Sequence, residues 1–281
     1  MESQKKFKRC FSFEFFPPST SEGEAKLAET AKQLAQLQPE FFSVTYGAGG
    51  STRERTLQAV LRLCEAGYAA APHISCIGSS RELVRGMLQR YREHGIHHLV
   101  ALRGDLPSGT AATGEFPYAC ELVHFIREEF GDHFFIEVAA YPEYHPQARS
   151  AQDDLKNFRR KVEAGANSAI TQYFYNADAY YHFVDECDAM GIDIPIVPGI
   201  MPIGRFSQLA RFSDACGAEI PRWIRRKLEG YGDDVASIRA FGLDVVTGLC
   251  DELLRSGAPG LHFYTLNQAG LTTIIWQRLG L

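Results

Sequence analysis

The sequence predicts an α/β fold, a (β/α)8 (TIM) barrel, on three observations. Short apolar or aromatic segments alternate with helical patterns eight times, at intervals of about thirty residues, the size of a βαβ unit. The length, 281 residues, suits that fold. Polar side chains close seven of the eight strands, namely Glu14, Thr45, His73, Arg103 with Asp105, Tyr141, Gln172 and Tyr264, and barrel active sites stand at that end. Any one of these has a dull explanation, since loops start with polar residues; together they predict one shared pocket. A doubly wound open sheet is the competing architecture. It lacks its G-x-G-x-x-G, because G-A-G-G-S-T at 47–52 breaks the pattern at Thr52. No linker divides the chain, so the expectation is a single catalytic domain over 1–281.

The elements follow in order. C-F-S-F-E-F-F-P-P at 10–18 reads as a strand, rich in aromatics and stopped by two prolines. Alternation puts Ser12, Glu14 and Phe16 on one face and Phe11, Phe13 and Phe15 on the other. Leu27, Leu34 and Leu37 give 21–37 a helical period, with Thr20 or Ser21 as cap. The second strand is 41–46, and a helix runs on to about residue 66. Strand three, A-A-P-H-I-S, holds His73; strand four, 97–105, opens into a Pro/Gly-rich loop and a helix starting near Pro117. Strand five spans 134–141 and leads to a charged helix at 150–164. Strands six and seven are S-A-I-T-Q-Y-F-Y and I-P-I-V-P-G-I-M. Extra helices carrying Trp223 and Asp233–Asp234 separate strand seven from the eighth, L-H-F-Y-T-L, and a last helix closes the chain.

Composition narrows the function. A net charge of -5 and no long basic run point away from nucleic acid. The polar N-terminus lacks a signal peptide's apolar core, and no apolar stretch is long enough to cross a bilayer. Seven cysteines without a C-x-x-C pair suit reduced thiols in a cytoplasmic protein rather than disulfides or a metal site. There is no G-x-S-x-G, H-E-x-x-H or phosphate-binding G-x-x-x-x-G-K motif. No strand ends in lysine, which argues against Schiff-base chemistry. His97 and His98 point to opposite faces and read as structural.

Two features carry chemistry. Glu14 is a lone carboxyl among rings, where charge is costly unless paired or neutralised; on its own the segment also reads as an edge strand with a partly exposed glutamate. In the helix at 150–164, Asp154, Asn157, Arg160 and Lys161 recur at three- and four-residue spacing and line one face. Such a face is often only solvated. Here it follows a strand end with Tyr141 and His145, so its cations can hold a diphosphate and its acid a ribose hydroxyl, a dinucleotide site without a Rossmann motif.

F-E-F-F-P-P, V-T-Y-G-A, A-P-H-I-S-C, A-L-R-G-D, A-A-Y-P-E-x-H-P, A-G-A-N-x-A-I-T-Q and H-F-Y-T-L-N occur in this order. Together they closely resemble the bacterial methylenetetrahydrofolate reductases, from about residue 10 to 280. The resemblance implies a noncovalent FAD and ping-pong hydride transfer, in which NADH or NADPH reduces the flavin and methylenetetrahydrofolate then leaves as methyltetrahydrofolate, supplying methyl groups for methionine synthesis. It implies Glu14 as general acid. It places Thr45, His73, Arg103, Gly104, Asp105, Tyr118, Ala119, Ala139, Tyr141, His145, Asp154, Asn157, Arg160 and Lys161 at FAD contacts. Asp105 and Gln172 fall at pterin contacts, Gln208 and Phe212 in the region that handles the rest of the folate or the nicotinamide, and Gln268 at a substrate-binding position. Bacterial relatives often carry Arg where this chain has Gln268. A homo-oligomer is expected, with small-molecule partners and neither nucleic acid nor membrane. Two other classes stay open: a flavin-free pterin-binding barrel performing methyl transfer or lyase chemistry, and a non-catalytic binding barrel.

Overall fold

A computed structural model of the protein describes residues 1–46, 50–104 and 114–281. A short helix, α1 (Glu2–Lys5), precedes β1 (Cys10–Phe15), α2 (Ser21–Ala35), β2 (Phe41–Val44), α3 (Gly50–Glu65), β3 (Ala70–Ser75) and α4 (Arg81–Glu93). There follow β4 (His98–Leu102), α5 (Ala119–Phe130), β5 (Phe135–Ala140), α6 (Ala151–Glu163), β6 (Ser168–Thr171) and α7 (Ala177–Ala189). The seventh stave is split into β7 (Ile196–Val197) and β8 (Gly199–Ile200). Then come α8 (Phe206–Cys216), α9 (Arg222–Tyr231), α10 (Val235–Ser256), β9 (Gly260–Tyr264) and α11 (Gly270–Leu279).

All described pairings are parallel, in the order β7-β6-β5-β4-β3-β2-β1-β9-β8. The ends of that list are one stave, so the sheet closes into a (β/α)8 barrel. The split has a local cause. Pro198 has no N–H to give a ladder, although its carbonyl still accepts from His262 N at 2.9 Å. Gly199 N turns instead to Thr171 Oγ1 at 2.9 Å. A Cβ on Gly199 would stand 2.1 Å from the Thr171 carbonyl oxygen and 2.7 Å from the Tyr264 ring, so the seam closes only with glycine there. The prolines at 17 and 18 lie beyond β1, which is a central stave between β2 and β9. The edge-strand reading of this segment is therefore wrong.

The register fixes two faces. Ser12 and Glu14 share the barrel interior with Phe41, Ala71, Val100 and Ile170, which form a small internal cluster. Phe13 and Phe15 face the helices; Phe15 stacks on Phe42 at 5.2 Å, and Phe13 packs near Phe263 and Trp276. Burying each such ring contributes roughly 1.5–3 kcal/mol. Below them Gln4 seals the N-terminal end, donating to Ile194 O at 3.2 Å and accepting from Ile196 N at 2.8 Å. Among the described residues no helix is long and apolar enough to cross a membrane.

Candidate active site

Two cavities open at the C-terminal ends of the strands, and they share Leu102, Ala139, Tyr141, His145 and Gln147. The first, of about 510 Å³, lies between β4, β5 and α6. Ser150 caps α6 through its side chain, accepting from Asp153 N at 3.1 Å, which sets the entry of the helix. Asp154, Asn157, Arg160 and Lys161 then face the cavity as their spacing predicts. Arg103, Gly104, Tyr118, Ala119, Ala139, Tyr141 and His145 complete the predicted set on its walls. Sequence reasoning missed Arg149 and Lys156, which raise the cations to five against Asp153 and Asp154. Asp154 Oδ2 accepts from His145 N at 2.8 Å and so holds the loop after β5 in place. Arg103 reaches Gln147 across the cavity, Arg160 donates to Asn157 Oδ1 at 3.1 Å, and Lys161 donates to the Ala139 carbonyl. Burial, helped by neighbouring Arg103, brings the Lys161 ammonium down to about 8, against the opposing pull of Asp154. A cation depressed in this way gains from an anionic ligand.

The second cavity, of about 670 Å³, stands over the barrel axis and is lined by Glu14, Thr45, His73, Gln172, Tyr173, Phe212 and Tyr264, among others. Thr45 and His73 thus belong here and not to the cation-lined cleft. Glu14 Oε2 lies 3.3 Å from His73 Nε2 and 3.6 Å from His262 Nε2. Both ring nitrogens are buried and lack a hydrogen bond, so these are close contacts and not well-aligned bonds. Burial holds His73 down at about 4, with His262 pushing the same way and Glu14 opposing, so its imidazole is neutral. His262 is anchored from the other side by Ser12 Oγ, 2.7 Å from Nδ1. The tip of β1 is pinned as well. Thr265 Oγ1 donates to Glu14 O at 2.6 Å, and Asn267 accepts from Phe16 N and donates to Phe16 O.

These surroundings correct one expectation. The phenylalanines beside Glu14 in sequence point away from it, and histidines and Tyr264 surround it instead. Ser12 and His262 were missed, although the alternation in L-H-F-Y-T-L puts His262 and Tyr264 on the same face. Tyr264 donates to Thr171 O at 2.7 Å, and burial pushes its phenol well above its ordinary range, so it stays protonated. Gln172 turns its Oε1 to Tyr173 N at 3.0 Å. Gln208 and Gln268 do not line either cavity; Gln268 is exposed and Gln208 half-buried on α8. Asp105 lies outside the described residues, as do residues 47–49. Among the described residues no cluster of His, Cys, Asp and Glu can hold a metal ion.

Comparison with known proteins shows the family. The methylenetetrahydrofolate reductase family profile matches residues 1–280. A 5,10-methylenetetrahydrofolate reductase of Pectobacterium carotovorum is 45% identical over 272 residues, covering 96% of this chain and 89% of the relative. The enzyme of that name from Escherichia coli K12 is 43% identical over 270 residues, covering 96% and 90%. A solved structure of an uncharacterised Clostridium thermocellum protein, described as binding two copies of 5-methyl-5,6,7,8-tetrahydrofolic acid, superposes with a TM-score of 0.68. That likeness covers 99% of this chain and 97% of the other at 15% identity, and it speaks for the fold alone. Taken with the relatives, the match over nearly its whole length means that the chain belongs to the methylenetetrahydrofolate reductase family.

Proposed function

We propose that the protein reduces methylenetetrahydrofolate to methyltetrahydrofolate, using NADH or NADPH as donor and noncovalent FAD as carrier, by a ping-pong reaction within one catalytic barrel. The observation that carries this reading is the joining of the two cavities. A cleft with five cations among its described residues suits a diphosphate, and it runs into a chamber that holds Glu14 and, among the described residues, no Lys or Arg. The depressed Lys161 is a second sign of fit, because an anion beside it would restore its charge. The residues present therefore suit FAD. Arg103, Arg160, Lys161 and Asn157 would hold the diphosphate, Asp154 a ribose hydroxyl, and Tyr141, His145, Thr45 and His73 the flavin end.

FAD bound there supplies the two-electron hydride chemistry that no side chain can. The protein supplies position and a proton. Nicotinamide and folate would occupy the single chamber in turn, which is the structural basis for a ping-pong order. Gln172 offers an amide to the pterin edge, and Phe212 a ring to the part beyond it. The bridging methylene becomes electrophilic only when the nitrogen leaving it is protonated, and the Glu14 carboxyl is the acid in the chamber placed to deliver that proton. Neutral His73 and the Ser12-anchored His262 bracket Oε2 and keep the carboxyl at its station. Asp105, outside the described residues, remains assigned to the pterin and flavin by its motif. A cytoplasmic homo-oligomer fits this role.

The test is product formation. FAD-replete protein given methylenetetrahydrofolate with NADH or NADPH should yield methyltetrahydrofolate, identified by mass, and the ratio of the two rates gives the donor preference. No product with either donor would overturn the assignment. A flavin-free methyl transfer or lyase reaction would instead show turnover in protein stripped of flavin.

A further inference from the structure

We propose that Arg211 receives the carboxylate tail of the folate, so that the enzyme selects folates by the charge of that tail; this rests on the folate reductase reading above. A folate ends in glutamate, whose carboxylates must keep water or meet cations. The chamber offers them nothing: among the described residues lining it there is no Lys or Arg, and its one carboxyl is Glu14. A pterin seated toward Glu14 and Gln172 therefore sends its tail outward to the rim.

Helix α8 forms part of that rim. Gln208, Arg211, Phe212 and Ala215 fall at i, i+3, i+4 and i+7 and so share one face. Phe212 and Ala215 on this face line the chamber. The Arg211 guanidinium rests 5.4 Å from the centroid of the Phe212 ring, is exposed, and is in no ion pair among the described residues. A guanidinium over an aromatic face keeps its N–H donors available for a carboxylate. The ring contacts the uncharged middle of the substrate while the neighbouring cation meets its end. Gln268 is uncharged and so does not compete with Arg211 for this role.

The experiment measures binding of 5-methyltetrahydrofolate, and of the same pterin lacking its glutamate (5-methyltetrahydropteroate), to FAD-replete parent, Arg211→Gln and Arg211→Lys. The glutamate-bearing ligand should bind Arg211→Gln about three- to tenfold more weakly, the range for a partly screened charge pair. Arg211→Lys should recover most of that loss, and added salt should weaken the parent more than Arg211→Gln. The tail-less ligand should bind all three proteins equally, and the rate of flavin reduction by the nicotinamide should not change. Equal weakening of both ligands would mean that Arg211 acts only by packing on Phe212, and no weakening of either would mean that it makes no contact; each overturns the proposal while leaving the reductase reading intact. A parent that binds neither ligand overturns both.

Discussion

The two cavities differ in how they are built, and the difference separates holding from reacting. The cleft beside α6 draws much of its wall from one contiguous stretch, residues 139–161, and it concentrates cations. The chamber over the barrel axis draws single residues from many staves, Glu14 from β1, His73 from β3 and Tyr264 from β9 among them, and among the described residues lining it there is no Lys or Arg. Charge density suits a permanently bound diphosphate. A chamber in which the described residues place a carboxyl between two imidazoles suits ligands that arrive, take a proton and leave. Damage to the first region should therefore loosen the cofactor, and damage to the second should stop a half-reaction while the cofactor stays.

The sharpest break between them is Glu14→Gln. Flavin reduction by NAD(P)H needs no acid and should persist. Reoxidation by methylenetetrahydrofolate should slow by at least the 10²–10⁴-fold that general acid catalysis typically contributes. Stopped-flow absorbance follows both halves. Equal slowing of the two would make Glu14 a support for flavin geometry.

Next in size is the double change Arg160→Ala with Lys161→Ala. It should weaken FAD retention by about ten- to a hundredfold, since charge-assisted hydrogen bonds contribute about 1.5–3 kcal/mol each and this face is partly exposed. Dialysis against buffer followed by flavin quantification reads the loss. Unchanged retention would reduce the α6 face to a solvated one.

A pH series sharpens the same contrast. In the FAD-free protein Lys161 loses its proton near pH 8, so FAD that binds the charged form should bind uniformly below that pH. Above it affinity should fall, by up to about tenfold per unit. Fluorescence titration from pH 7 to pH 10 would show it, and Lys161→Met should flatten the curve. A parent profile without a break would remove Lys161 from the diphosphate site.

The smallest effect belongs to the chamber. His73 is held at about 4 in the folded protein, below its ordinary value of 6.5, so between these values the unfolded chain binds the extra proton. Its contribution to stability is complete above pH 6.5 and is lost as pH falls toward 4. Replacement by Asn should lessen the fall in urea midpoint between pH 6.5 and 4.5. An identical fall in both proteins would place His73 in a wetter setting.

The same contrast explains what the sequence disclosed. The barrel, the extra helices before the last strand and the α6 face were legible because each is a local pattern: strand–helix alternation, an interval of excess length, three- and four-residue spacing. Arg149 was missed because it precedes the helix cap and follows no period. The break at Pro198 was readable in principle, since a proline in a central strand removes a ladder donor. The bracketing of Glu14 was not legible, because it depends on which staves are neighbours. Ser12 meets His262 across 250 positions of sequence only because β1 lies beside β9. The pleat, by contrast, was legible from alternation alone. Phe13 and Phe15 adjoin Glu14 in sequence, yet the pleat sends them to the opposite face.

The most direct measurement is an anaerobic spectral titration of the purified parent protein. It should carry FAD, visible as flavin absorbance and released on denaturation. That absorbance should bleach with one equivalent of NADH or NADPH and return on addition of methylenetetrahydrofolate alone. Protein that cannot be loaded with FAD, or bound flavin that is reduced but never reoxidised by the folate, would contradict the account.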